Sequence, residues 1–457
     1  MIDFKKFSSY SKAGPRYTSY PTAVEFHCNF NEKSFQEALK RNDEQKHLPL
    51  SVYVHLPFCK SACYFCACNV IYTNSEDKKE RYLKYLKKEL ELLKNAMDTK
   101  REVVQLHFGG GTPTYFSAKQ LDEIIGMIKE TFVNFSNNAE VSCEIDPRHF
   151  NKEQMQVLKH GGFNRVSFGV QDFDERVQKA INRFQSMELM QEVVSIARDY
   201  GIDSINFDLI YGLPFQNLQS FKETLQKSLS LSPDRFAIFN YAHVPWIKKT
   251  MGNIDEKTLP TPEEKLEILK FTIEFLESNG YKMIGMDHFA KENDELYLAS
   301  QKGELRRNFQ GYTTKGFSQT IGIGLTSIGE GLDYYVQNFK EIKKYEEALD
   351  RGFLPIERGI DLSFDDILRK EVIMQLMNNL RLEYKIIETK FSIVFKEYFA
   401  KELEAIKVFE QDLLLELRED GIFVNETGGM LIRNIAMCFD AYLQKIPVEQ
   451  RRFSKTV

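Results

Sequence analysis

Tyr53-Val-His-Leu-Pro-Phe-Cys59-Lys-Ser-Ala-Cys63-Tyr-Phe-Cys66-Ala-Cys68-Asn69 runs from an apolar, strand-like segment into four cysteines within ten residues. The first three are spaced C-x3-C-x2-C. Three thiolates can hold three irons of a [4Fe–4S] cluster and leave the fourth iron open to a substrate or cofactor. A structural zinc site would take two Cys/His pairs separated by a longer stretch, and no second pair follows. Disulfides fit worse, because 7 cysteines in 457 residues is sparse usage and an odd count. Cys28, Cys143 and Cys438 are scattered and have no matching partner motif. A buried inert thiol is the ordinary reading of a lone cysteine. Four in ten residues argue against it.

From about residue 50 to 245, short β-like runs alternate with longer amphipathic patterns. Strands are expected at 50–56, 103–108, 141–145, 165–170, 204–210 and 235–240. Helices are expected at 76–97, 118–133, 151–160, 174–199 and 216–230. In the first helix Tyr82, Leu83, Leu86, Leu90 and Leu93 recur at helical spacing. Six β-α units in series predict parallel strands joined by right-handed crossovers. The count falls short of an eight-fold barrel, so the fold class is α/β, a partial, open (β/α)6 barrel. Chemistry in such folds gathers at the C-terminal ends of the strands. The cysteine loop, the turn Gly109-Gly-Gly-Thr-Pro-Thr114, Glu144, Gln171, Asp208 and Ala242 all fall there, which predicts one composite site.

The glycine turn directly follows a strand, and glycine lets backbone groups approach a ligand closely. A Walker loop would need Gly-Lys-Ser/Thr, which is absent. A plain tight turn is the alternative; the cysteine loop one β-α unit earlier favours the ligand. The single residues also have bland readings. A strand-end Glu or Asp is often a helix cap, and Arg183 alone would more often be a surface cation. His55 is more simply a satisfied core histidine and stays outside the site. Cys68 reads equally as a small buried thiol.

Residues 1–49 form a lead-in whose Gly14-Pro-Arg-Tyr-Thr-Ser-Tyr-Pro21 predicts an ordered extended strip. Residues 50–245 are the core barrel and 246–359 an extension completing the site. Residues 360–457 are a mostly helical C-terminal domain. Helices are expected there at 364–380, 386–393 and 408–420. A two-strand hairpin follows at 421–432, giving a winged-helix-like unit. A packing or lid role is favoured over DNA binding, because fold does not fix function and the net charge is −5. No nucleic-acid partner is expected. The first ten residues hold no apolar run resembling a signal peptide, and no stretch of about 18 apolar residues occurs anywhere. The expectation is a cytoplasmic chain without a membrane span, and a monomer, since no interface signature stands out.

C-x3-C-x2-C after the first strand and Gly-Gly-Gly-Thr-Pro after the second resemble the radical S-adenosylmethionine enzymes. Further stretches are similar to one family within them, oxygen-independent coproporphyrinogen III dehydrogenase. They are Gly14–Ala23, Tyr53–Cys59, Cys66-Ala-Cys68-Asn69, Gly169–Phe173, Asp208–Pro214, Phe239–His243, Gly285–Ala290, Arg307–Thr314 and Leu431–Ile435. The resemblance runs from about residue 13 to the C-terminus. It implies a [4Fe–4S] cluster on Cys59, Cys63 and Cys66, with Cys68 not a ligand. It implies S-adenosylmethionine on Tyr53, Gly110, Glu144 and Ile328. A second molecule of it would meet Phe65, Gly111, Thr112, Gln171, Arg183, Asp208 and Ala242. Asp208 suits a ribose diol or sulfonium and Arg183 a carboxylate.

The implied reaction is anaerobic conversion of coproporphyrinogen III to protoporphyrinogen IX in haem biosynthesis. A 5′-deoxyadenosyl radical would act on two propionates, with an electron donor and an acceptor of unknown identity. The substrate carries four carboxylates, for which Arg16, Arg165, Arg306, Arg307 and Arg433 are available. The N-terminal strip around Arg16 and Tyr17 is expected to close over it. A non-catalytic haem-transfer relative is the alternative, but such relatives typically lack Cys-x-Cys-Asn and the Arg-Tyr-Thr-Ser-Tyr lead-in, both present here. A zinc-stabilised interaction protein would leave the triple-glycine turn unexplained.

Overall fold

The computed structural model describes residues 10–446 and Phe453. The ends of the expected N-terminal extension (1–9) and C-terminal domain (447–452 and 454–457) lie outside the described residues. The chain forms two compact units, one of residues 26–279 and 317–361, the other of 10–25, 280–316 and 362 onward. The four expected segments thus distribute over two units, and 280–316 groups with the C-terminal residues.

In the first unit six strands, β1 (Leu50–Leu56), β2 (Val103–Gly110), β3 (Phe135–Ile145), β4 (Arg165–Gln171), β5 (Ser204–Tyr211) and β6 (Arg235–Asn240), pair side by side in chain order, all parallel. Consecutive order with right-handed crossovers puts every connecting helix on the same face. The result is the open (β/α)6 arrangement, since among the described residues no pairing returns from β6 to β1. On its other edge β1 pairs in parallel with β7 (Gln319–Ile323). β8 (Ile328–Glu330), β9 (Tyr334–Asn338) and β10 (Ile356–Asp361) continue the sheet antiparallel. The sequence reading assigned no strands to those residues.

Side chains alternate across a strand, and here the two faces differ sharply in chemistry. Val52, Val54, Leu106, Phe108, Val141, Cys143, Val166, Phe168, Ile205 and Phe207 are buried and form the apolar face. The opposite parity carries Tyr53, His55, Gln105, His107, Ser142, Glu144, Ser167, Asn206 and Asp208. These bond laterally. Ser51 donates to Gln105 (2.7 Å) and Gln105 to Glu140 (3.2 Å), while His107 meets Ser142 at 2.6 Å. Asn206 donates to Ser167 (2.9 Å) and to Asp208 (2.8 Å). A polar lining is the consequence of parity combined with one-sided helices.

The crossover helices begin at caps the sequence announces, with Ser75, Ser117, Asn151, Ser186 and Asn217 accepting backbone N–H bonds. One expectation is corrected. The segment 174–199 is two helices, Glu175–Ala180 and Met187–Asp199. Asn182 adopts a left-handed φ of 55° and Ser186 starts a new helix. Val177 and Ile181 are spaced as on one helix face, but buried Met190 lies nine residues beyond Ile181, about two and a half turns, so the stripe changes face at the break.

Helix Glu76–Ala96 buries Glu89, which accepts from Gly324 N (2.8 Å), Asn338 Nδ2 (2.6 Å) and Tyr345 Oη (2.5 Å). Burial lifts this carboxyl to about 7 against the lowering effect of those bonds, from an ordinary 4.5. Between these values the folded chain binds more protons than the unfolded one, so stability falls as pH rises through the window and levels off above it. In urea unfolding, Glu89→Gln should therefore gain on the parent by up to about 1.4 kcal/mol per pH unit over that range. A difference that stays constant with pH would remove Glu89 as the cause.

In the second unit helices Phe364–Asn379, Tyr384–Phe391 and Ala400–Gln411 accompany an antiparallel sheet of Arg381–Glu383, Gly421–Val424 and Leu415–Leu417. Two expectations change here. The helix expected to reach 420 ends at Gln411, because Leu413 takes a left-handed φ of 58°. The hairpin turns at 418–420, and Gly428-Gly429 lies instead in the short helix Glu426–Met430. A Cβ on Gly428 would lie 2.0 Å from the Leu414 carbonyl, so close packing explains that glycine.

The strip 14–17 is tied down but not extended throughout as expected, since Tyr17 takes a left-handed φ of 48°. Arg433 donates from Nε to Pro15 O (3.0 Å) and from Nη2 to Gly14 O, and buried Tyr17 donates to Asp440 (2.9 Å).

Candidate active site

The cysteine loop leaves β1 and closes on itself where Phe58–Cys59 pairs with Ile71–Tyr72. The glycine turn is sewn to its base. Gly111 N donates to Leu56 O (2.9 Å) and Thr112 N to Phe58 O (3.0 Å), with Thr112 Oγ1 3.3 Å from Cys59 Sγ. Gly110 has a φ of +112°, and a Cβ there would lie 2.5 Å from the His55 imidazole. A Cβ on Gly111 would lie 2.7 Å from the Pro57 backbone. Both glycines are required by this approach of two strand ends.

Glu144, at the end of β3, accepts from Gly110 N (3.1 Å) and lies 3.3 Å from His107 Nε2. Burial raises its carboxyl, but the His107 bond and charge, the Gly110 amide and His55 outweigh that and hold it below the ordinary range. The side chain sits deep in the unit and still keeps 46% of its surface open, so it faces a space. Tyr53 stacks on His107 (centroids 5.8 Å apart) and bonds His55 Nδ1 at 3.0 Å. Gly322 sits opposite Tyr53 in the register, and a Cβ on it would lie 2.7 Å from the Ile328 carbonyl, which brings Ile328 toward the same row.

Arg183 occupies the break between the two helices. Its Nη1 donates to Asp146 (2.9 Å) and its Nη2 to Gly169 O (2.7 Å). Arg148 Nη2 reaches Asp146 at 2.7 Å, and both guanidiniums stand 3.6 Å from Cys63 Sγ. Burial raises the Asp146 carboxyl, but the two arginines hold it far below its ordinary value. Gln171, with a left-handed φ of 65°, and Arg183 crowd Gly169, where a Cβ would lie 2.7 and 2.9 Å from their nitrogens. Asp208 accepts from Ser167 (2.9 Å) and Asn206 (2.8 Å). Phe65 packs against Val177, Ile181, Ile210 and Tyr241, and Ala242 follows Tyr241 just beyond β6.

All the sequence-expected metal and cofactor residues therefore fall in one unit, at the C-terminal ends of its parallel strands or beside β1 and β8. Asp146, Arg148 and His107 were not among them. His107 was legible as the last polar residue in alternation before the glycines; Asp146 and Arg148 carried no motif.

The thiols fit a cluster. Burial pushes Cys59 up to about 12, opposed by the Thr112 bond, with Cys66 and Cys63 within electrostatic reach. A bond from the Cys68 thiol pulls Cys66 down to about 6, and Cys68 itself is driven up. Among the described residues no three His, Cys, Asp or Glu side chains converge on one ion. A cubane spreads three thiolates over three irons, so thiols fanned across one loop fit it.

Fold and loop together define a radical S-adenosylmethionine core. Residues 53–227 match the Radical SAM superfamily and residues 362–431 the HemN C-terminal domain. The oxygen-independent coproporphyrinogen III oxidase of Helicobacter pylori (strain J99) is 65% identical over 457 residues, 100% of this chain and 99% of that protein. The Escherichia coli K12 protein of the same name is 44% identical, over 100% of this chain and 98% of its own length. The solved structure of Escherichia coli coproporphyrinogen III oxidase (HemN), described as a radical SAM enzyme, superposes with a TM-score of 0.92 at 43% identity. It covers 97% of this chain and 99% of its own. The chain belongs to the oxygen-independent coproporphyrinogen III oxidase family, and the [4Fe–4S] cluster and S-adenosylmethionine come with that membership.

Proposed function

We infer that this chain carries out the anaerobic oxidative decarboxylation of coproporphyrinogen III to protoporphyrinogen IX in haem biosynthesis. The observation that carries the reading is the cysteine loop sewn to the glycine turn above a polar strand-end lining, in a chain aligned end to end with its relatives. Each of two propionates loses one hydrogen from its β-carbon and then CO2, leaving a vinyl group and one electron for an acceptor. That C–H bond has no acidic proton, so a base cannot open it. Held by Cys59, Cys63 and Cys66, the cluster would supply the one-electron reduction of S-adenosylmethionine that gives a radical able to take this hydrogen.

The chain's own part is to bind and orient. In this reading Cys59, Cys63 and Cys66 hold the cluster and Cys68 stays free of iron. Tyr53, Gly110, Glu144 and Ile328 receive one S-adenosylmethionine, where the ionised Glu144 beside Gly110 N suits an ammonium group. Phe65, Gly111, Thr112, Gln171, Arg183, Asp208 and Ala242 receive a second. Arg183 and Arg148, each with a nitrogen 3.6 Å from Cys63 Sγ, orient that ligand. An external one-electron donor and an acceptor complete the balance. The reading includes a monomer in a reducing cytoplasm; among the described residues no helix is long and apolar enough to cross a membrane.

The test is anaerobic reconstitution with iron and sulfide, then S-adenosylmethionine, dithionite and coproporphyrinogen III, followed by mass spectrometry. Loss of two CO2 with 5′-deoxyadenosine is expected. Cofactor cleavage without decarboxylation would move the substrate elsewhere, and tight haem binding without cleavage would favour a transfer protein. The N-terminal strip is proposed to close over the substrate. Deleting residues 1–20 should abolish decarboxylation and leave the iron content intact; normal turnover by the truncated chain would refute the strip's role.

A further inference from the structure

The approach of two strand ends accounts for Gly110 and Gly111 and leaves Gly109 to be explained. A Cβ on Gly109 would lie 3.0 Å from the Glu144 carboxyl carbon and 3.0 Å from His107 Nε2, tighter than an ordinary van der Waals contact. The missing side chain keeps open the place where these two groups meet. His107 stands opposite Ser142 in the register of β2 and β3, and Glu144 follows Ser142 at the same parity. All three side chains therefore leave one face of the sheet.

His107 and Gly110 take different oxygens of Glu144. His107 Nε2 lies 3.3 Å from Oε1, and Gly110 N donates to Oε2 (3.1 Å). The last torsion of a glutamate is broad, so an unsupported carboxylate would turn freely. Two donors on two oxygens fix its plane. The lone pairs they do not use are left for the open side, where Glu144 keeps 46% of its side chain exposed. A carboxylate aimed in this way and held ionised is an acceptor ready for the N–H groups of an amine.

His107 is itself held. Its ring is buried and stacks on Tyr53 of β1, with 15° between the planes. Its Nδ1 lies 2.6 Å from Ser142 Oγ. A neutral imidazole has one donor and one acceptor nitrogen, and an ionised carboxylate only accepts. Nε2 then carries the proton that meets Glu144, and Nδ1 accepts from the Ser142 hydroxyl. Ser142 thus selects the tautomer that supports Glu144, as the group behind a histidine does in metal sites.

We propose that His107, with Ser142 behind it, is a positioning residue that aims the Glu144 carboxylate at the methionyl amino group of S-adenosylmethionine. The inference rests on the reading of Glu144 given above. His107 acts on cofactor binding through Glu144 and takes part in no bond change.

The experiment uses the full-length enzyme with its cluster reconstituted anaerobically and left oxidised, so that S-adenosylmethionine binds without being consumed. Equilibrium dialysis gives the dissociation constant, and Mössbauer spectroscopy reports occupancy at the cluster iron. His107→Phe keeps a ring against Tyr53 and removes both nitrogens. It should weaken binding roughly tenfold, the scale of one lost charge-assisted hydrogen bond, with iron content unchanged. His107→Gln gives up the ring and restores an N–H at the reach of Nε2, and should stay within about threefold of the parent. The deaminated analogue of S-adenosylmethionine should bind parent and His107→Phe alike.

A histidine that served only the packing would reverse the order, with Phe harmless and Gln damaging. A Gln variant no better than Phe overturns the proposal, as does equal weakening for cofactor and analogue. If His107→Phe takes up no cluster, Ser142→Ala decides: weakened binding supports the relay and unchanged binding overturns it. Glu144→Gln separates the two readings. If it binds S-adenosylmethionine as the parent does, the Glu144 assignment fails and the inference with it. If Glu144→Gln weakens binding and His107→Phe does not, the inference alone fails.

Discussion

Cys63→Ser, reconstituted anaerobically, is expected to hold almost no cluster iron, to lack the brown chromophore and to show background turnover. Cys59→Ser and Cys66→Ser should behave alike, whereas Cys68→Ser should keep its iron. The physical reason is the number of ligands. With three thiolates for four irons the protein has none to spare, and a serine hydroxyl does not ionise in this range as a thiol does. The three positions are not equivalent beforehand. Cys63 is flanked by Arg148 and Arg183 at 3.6 Å, while burial pushes the Cys59 thiol up. Iron and sulfide analysis with visible absorption checks the set. Retained iron in Cys63→Ser, or its loss in Cys68→Ser, would redraw the ligand assignment.

Asp146→Asn should be the most damaging substitution outside the cysteines. Asp146 is 7% exposed and accepts from two guanidiniums, so removing its charge leaves Arg148 and Arg183 facing each other without a counter-ion. Breaking one side of such a buried pair typically costs about 3–5 kcal/mol. Because both arginines also reach Cys63, the loss should pass to the cluster, and second-layer partners of metal ligands commonly account for about 10–100-fold in affinity or activity. Urea unfolding and iron retention measure the two effects separately. Adding Arg148→Gln to Asp146→Asn should recover part of the stability, since the surplus charge is removed. If Asp146→Asn unfolds like the parent, the ion cluster is not holding this corner of the fold.

The order of the barrel was legible because each strand ends in a polar or glycine signal and each helix starts at a cap. Gly110, Glu144 and Asp208 could be placed at or beyond strand ends from the sequence pattern, whereas Tyr53, in the middle of its strand, came through resemblance. Arg183 was found through resemblance, and its true setting was hidden. The apolar stripe of Val177 and Ile181 and that of Met190 fall out of phase, at a break made by the left-handed Asn182 and the Ser186 cap. Leu413 gave no such warning, since a leucine at positive φ has no composition signal. Asp146 meets Arg183 across 37 positions and Arg16 meets Asp287 across 271, separations that local pattern does not reach.

The lateral bonds along the polar face act like a hoop inside a cask. Ser51 to Gln105 to Glu140, and Ser167 with Asn206 and Asp208, clamp neighbouring staves from within while apolar packing clamps them from outside. Rigidity therefore resides in the wall as well as in the stitched cysteine loop. Such a vessel can alter what it holds by exchanging rim segments, and it tolerates few changes to the hoop itself.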